Sequence, residues 1–191
     1  VAFFPWKVNG SETSMTFSFA CAGGKPQTLE ILEALYLRGY APEFIALPHE
    51  LSAEDEAQVI DWTTPKDIPY YHTDDLIEYT DLLKHLDLLL VCRFGLLEQK
   101  VFAAPRWGSI NVHSSLLPDY RGVHPVSWVL VNGETKTGVT FHKIDDSIDG
   151  GPIIKQQSLV IEEYHDFWRL TEDLNTLSAD IAIELFAEID V

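Results

Sequence analysis

The chain has 191 residues, 46% of them hydrophobic and 12% aromatic, with a formal net charge of −17. That is enough apolar material for one folded domain with a real core, and the aromatic content excludes a disordered chain. With 30 Asp and Glu against 13 Lys and Arg, no basic face of the kind that displaces counterions is visible, so no nucleic-acid partner is expected. No apolar run reaches about 18 residues, which predicts no membrane-spanning helix, and no secretory signal pattern is present. Cys21 and Cys92 are the only cysteines; both lie in apolar runs, and the reading is a cytoplasmic protein with reduced thiols.

In chain order, residues 1–14 run from apolar to polar and form an N-terminal extension with no assigned role; the Asn9-Gly10-Ser11 sequon reads as chance. Residues 15–24 read as a strand ending in glycines. Leu29, Ile31, Leu32, Leu35, Tyr36 and Leu37 follow at spacings that include a helical stripe, stopped at Gly39. With the strand at 41–48 this makes a βαβ unit, which implies a parallel sheet. Ser52 is a candidate N-cap for a helix over 52–62, with Glu54 and Asp55 in its first turn. A short strand at 68–72 and an amphipathic helix over 74–86 come next. Residues 87–95 hold a continuous apolar run, as for a strand buried on both faces. A short helix closed by Pro105, a strand at 109–115 and a short helix over 124–134 follow. Two strands at 137–145 and 151–161 alternate in a way that suggests a more exposed sheet edge. Phe167, Leu170, Leu174, Leu177, Ile181 and Leu185 then recur at steps of three and four on one long helix. No repeat, linker or low-complexity tract interrupts this. The expected fold is a single α/β domain over 1–191: a Rossmann-like, mostly parallel sheet flanked by helices.

The strand at 109–115 carries an anomaly. Residues two apart on a strand share a face, so Ile110 and Val112 point one way, Asn111 and His113 the other. The pair sits near the carboxyl end of its strand, where open α/β sheets bind ligands. It is either a locally satisfied polar strand end or the wall of a cleft. A second polar group, Asp145, Asp146 and Asp149, precedes a Gly-Gly turn; alone it reads as a solvated acidic loop, and its spacing does not fit an EF-hand. No HExxH or CxxC pattern suggests a metal.

Residues 111–154, NVHSSLLPDYRGVHPVSWVLVNGETKTGVTFHKIDDSIDGGPII, resemble the core of the folate-dependent formyltransferases: Asn-x-His, the Ser-Leu-Leu-Pro-x-Tyr-Arg-Gly loop, Asn-Gly-Glu…Thr-Gly-Val-Thr, then Asp-x-Gly. The resemblance implies N10-formyltetrahydrofolate as formyl donor to an amine, with no metal, and Asn111, His113 and Asp149 as the catalytic trio. The chemistry suits these types. An Asn N–H can stabilise negative charge developing on the formyl oxygen, an imidazole can move the amine proton, and a carboxylate can hold the imidazole. Phe94, Gly95, Leu96 and Leu97, with Ile148 from a facing loop, are expected around the pterin. Arg121 would hold a substrate anion or a loop carboxylate, and His124 would line the acceptor side. The Tyr120-Arg121-Gly122, Pro125 and Trp128 form is most similar to the sugar N-formyltransferases, which implies a nucleotide-linked amino sugar as acceptor and leaves a homodimer open. Glycinamide ribonucleotide, methionyl-tRNA, hydrolysis of the formyl-folate, and a non-catalytic binding module are the alternatives.

Overall fold

Seven strands form one sheet in the order β3-β2-β1-β4-β5-β6-β7. In the computed structural model these are β1 (Phe19–Ala22), β2 (Ile45–Leu47), β3 (Tyr70–His72), β4 (Leu88–Cys92), β5 (Ser109–His113), β6 (Lys136–Lys143) and β7 (Ile153–Val160). The first five are parallel, and β6 and β7 are antiparallel. The structure describes residues 17–190; the N-terminal extension, its sequon and the start of the strand expected from residue 15 lie outside the described residues.

The helices form where the local chemistry allows. In α1 (Pro26–Tyr36), Pro26 takes the first turn, where its missing N–H costs nothing. At the start of α2 (Ala53–Thr63), the Ser52 hydroxyl accepts from the Asp55 N–H, and Glu54, Asp55 and Glu56 sit against the positive end of the dipole. Asp166 does the same for the Arg169 N–H at the head of α6 (Phe167–Ile189). Leu170, Leu174, Leu177, Ile181 and Leu185 are buried as the period predicts. No helix among the described residues is long and apolar enough to cross a membrane.

Strand alternation divides the core in two. Phe19, Cys21, Leu88, Leu90, Cys92, Ile110 and Val112 pack with α1 and α6 on one face. Ala20, Ala22, Leu89 and Val91 meet Leu76, Leu83 and Val101 on the other. Residues 74–86 do not form one amphipathic helix, only a 3-10 turn at Ile77–Tyr79 and a single turn α3 (Thr80–Leu83). The Thr73 hydroxyl takes the Leu76 N–H and the Asp75 carboxylate the Ile77 N–H, side-chain bonds that compete with helix continuation. Leu76 adopts φ 60 and still reaches the core. Of the two strands expected at a more exposed edge, only β7 is one; β6 lies between β5 and β7 and is buried along its middle.

The chain leaves β1 toward β2 on one side and returns to β4 on the other. Between those strands α1 leaves toward the first core, while the loop after β4 and the short α4 (Gln99–Phe102) lean on the second. This is a topological switch point, where doubly wound sheets open a crevice. Gly23 holds it tight: its φ is 147, and a Cβ there would collide with the Cys92 carbonyl oxygen.

Candidate active site

The polar group is assembled by strand periodicity and antiparallel register. Ile110 and Val112 enter the first core, which turns Asn111 and His113 to the opposite face. On β6, Val139 and Phe141 enter the same core, so Thr140 and His142 share the polar face. Register sets Asn111 beside His142 and His113 beside Thr140. The β6–β7 turn folds Asp149 over this ladder, with Asp149 at φ 46. The turn requires its glycines, since a Cβ on Gly151 would run into the Lys143 carbonyl oxygen.

Asp149 is the hub. Its Oδ2 accepts from the Gly122 N–H at 2.8 Å and lies 3.5 Å from His113 Nδ1. Its Oδ1 accepts from Asn111 Nδ2 at 3.2 Å and lies 3.5 Å from His142 Nε2. His113 Nε2 is 2.8 Å from the Tyr120 carbonyl oxygen. A carbonyl only accepts, so Nε2 carries a hydrogen, and in the neutral ring Nδ1 offers its lone pair. Burial lowers the His113 pKa below its ordinary value, against the opposing pull of the Tyr120 carbonyl and the Asp149 charge. Burial would raise the Asp149 carboxyl, but its contact with His142, the hydrogen bond from the Gly122 amide and the charge each histidine carries when protonated hold it below the usual carboxylate range. A neutral imidazole beside an ionised carboxylate is the state in which His113 can take up a proton.

These groups open onto a cleft of about 760 Å³, within the size of small-molecule sites. Asn111, His113 and Asp149 line it together with Phe94, Gly95, Leu96, Leu97, Ile148 and His124. Phe94 and Leu97 pack back onto the second core, while Leu96 and Ile148 are exposed, leaving an apolar slot between two loops. Arg121 is not on this wall. Its guanidinium lies beside Gly150, and its charge, after the hydrogen bonds from Ser147 and the charge of His142, helps hold the Asp145 carboxyl low.

Three further residues matter here. His142 is 2% exposed and touches both Asn111 and Asp149; its signal was the Thr140/His142 alternation of a strand antiparallel to β5. Lys25 and Arg93 line the cleft on the side where α1 begins. Arg93 donates from Nε to Gln27 Oε1 at 3.0 Å, and its pKa is lowered by burial. Neither cation has an acidic partner among the described residues. Their signal, a Lys after the Gly-Gly turn that follows β1 and an Arg directly after β4, is weak without the sheet order.

A model of the formyl transferase family matches residues 71–185, a stretch that includes β4, β5, β6 and β7 and therefore the whole polar ladder. The methionyl-tRNA formyltransferase of Flavobacterium psychrophilum is 43% identical over 103 residues, which is 54% of this chain and 33% of that protein. The chain thus spans about a third of the length of the curated relatives it matches. Among solved structures, phosphoribosylglycinamide formyltransferase from Bacillus halodurans superposes with a TM-score of 0.77 at 20% identity, covering 90% of this chain and 94% of that one. A Mycobacterium tuberculosis protein proposed to be a sugar N-formyltransferase superposes with a TM-score of 0.70 at 20% identity, covering 92% and 68%. At such identities the two structures speak to the fold alone. The family match runs through the loop after β4, the Asn111–His113 strand and the Asp149 turn, and by it this chain belongs to the formyl transferase family.

Proposed function

We propose that the cleft is the formyl-transfer centre of an N-formyltransferase, with Asn111, His113 and Asp149 as its reacting groups. The observation that carries this is the placement of a neutral His113 Nδ1 beside the ionised Asp149 at the mouth of an apolar slot. N10-formyltetrahydrofolate supplies the formyl group when bound. Phe94, Gly95, Leu96 and Leu97, with Ile148 facing them, would hold its ring system by apolar and backbone contacts. His113 Nδ1 takes a proton from the attacking amine nitrogen and returns it to the departing folate nitrogen. Asp149 stabilises the imidazolium between those two events, and the Tyr120 carbonyl keeps the ring from turning.

The acceptor we favour is a nucleotide-linked amino sugar. Lys25 and Arg93, in a chain with net charge −17, have no acidic partner among the described residues and line the same cleft as the apolar slot. That arrangement suits an acceptor that is itself anionic, such as one carrying phosphates, with His124 near it. The acidic chain disfavours a large polyanion. A second reading, methionyl-tRNA as acceptor, is favoured by the name of the 43% identical relative.

An amine panel tests both. Tetrahydrofolate release is followed with no amine, with nucleotide-linked amino sugars, with glycinamide ribonucleotide and with charged initiator tRNA. Release that depends on an amino sugar supports the favoured acceptor, and release only with tRNA overturns it in favour of the second reading. Release without any amine makes the protein a hydrolase, and release under no condition defeats the transfer reading.

A further inference from the structure

His142 faces Asn111 across the β5–β6 ladder, and the proton path through His113 leaves it unused. Its hydrogen positions follow from its neighbours. Nδ1 lies 3.0 Å from the Lys143 carbonyl oxygen, which only accepts, so Nδ1 carries a hydrogen. In the neutral ring Nε2 then has a lone pair and needs a donor, and the group 3.2 Å away is Asn111 Nδ2. The other neighbour of that nitrogen, Asp149 Oδ1 at 3.2 Å, also only accepts. Both contacts demand the NH2 side of the amide; the reverse orientation would set Asn111 Oδ1 against a carboxylate and an imidazole lone pair. Both Asn111 hydrogens are therefore occupied. Asn111 Oδ1 has no hydrogen-bond partner among the described residues, and Asn111 lines the cleft.

We propose that His142 is a positioning residue of the centre. Its neutral Nε2 takes one Asn111 N–H and so fixes the amide with Oδ1 toward the cleft, where it accepts a hydrogen from the incoming amine. Asn111 then meets the acceptor with its oxygen, and its N–H groups serve the protein. This rests on the formyl-transfer reading above. Protonation of His142 would break the arrangement, because Nε2–H would turn to Asp149 Oδ1, 3.5 Å away, and release Asn111.

The test is a double-mutant cycle read alongside imidazole nitrogen spectra. His142→Phe keeps a ring and removes both nitrogens. We expect kcat to fall about tenfold or more, with KM for the formyl-folate changed by less than about twofold. In an Asn111→Ala background the same change costs nothing further. Losses that multiply overturn the proposal. His142→Gln, whose side-chain oxygen can still accept, recovers part of the rate if positioning is the role; no recovery in a variant with wild-type melting behaviour counts against it. Nitrogen spectra of the wild-type protein at neutral pH need no activity. They show His142 with hydrogen on Nδ1 only, and an Nε2–H or a doubly protonated ring overturns the proposal. The expected tautomer without transfer to any amine would defeat the formyl-transfer reading and leave the His142–Asn111 contact standing.

Discussion

Replacing Asp149 by Asn changes its charge and almost nothing of its shape. In the structure Asp149 Oδ2 stands 3.5 Å from His113 Nδ1, and both side chains are largely buried, at 15% and 7% exposure. At that separation, an effective dielectric of about 20 gives an attraction of about 5 kcal/mol between the carboxylate and a protonated ring. The ring is protonated only while it holds the amine's proton, so most of that attraction acts on the barrier. About 4 kcal/mol corresponds to roughly a thousandfold in kcat. The charge of Asp149 also raises the His113 pKa against burial, so in Asp149→Asn the acid limb of the rate profile moves to lower pH. The assay is amine-dependent formyl transfer from about pH 5 to pH 9, with melting curves to show that the variant folds. A folded Asp149→Asn enzyme within about threefold of the wild-type kcat, with an unmoved acid limb, would refute this account of the Asp149–His113 pair.

Other outcomes follow from the same structure. Lys25→Ala and Arg93→Ala should raise KM for an anionic acceptor by about tenfold or more, with KM for the formyl-folate little changed; equal effects on both substrates would remove the assignment of these cations to the acceptor. Both His113 and Asp149 are shifted below their ordinary pKa values, so each contributes stability above its unfolded-state pKa that is lost as pH falls. Urea unfolding should show stability declining below about pH 6.5 through His113 and again below about pH 4 through Asp149. His113→Phe should flatten the first decline. Phe186 is fully buried, with rings of Phe17, Phe19 and Tyr40 within 5.6 Å between centroids; Phe186→Ala should cost about 3–5 kcal/mol in denaturant unfolding.

Much of this architecture was legible in residue patterns. The Ser52 cap, the period of α6 and the apolar run of β4 are local signals, and the structure follows them. The opening stretch of β5 was legible too, because alternation alone turns Asn111 and His113 to one face. Segment 74–86 misled because its leucines keep a helical spacing while the backbone at Leu76 turns left-handed, φ 60, and breaks the helix near its start. What was hidden is non-local. His142 is meaningless until β6 is known to run antiparallel to β5 in the register that sets it opposite Asn111. Lys25 and Arg93 are sixty-odd positions apart and converge only because β1 and β4 are neighbours in the sheet. Arg121, which suited either a substrate anion or a loop carboxylate, lies beside the loop carrying Asp145 and Gly150.

The most direct measurement follows a labelled formyl carbon. The protein is incubated with N10-formyltetrahydrofolate carrying carbon-13 in the formyl group and with the acceptor panel, and the amide product is observed by NMR. Labelled formamide on an acceptor nitrogen is the predicted result, with the signal nearly abolished in a folded His113→Ala variant. Label that appears only as free formate, or appears on the acceptor equally in His113→Ala, would contradict the account.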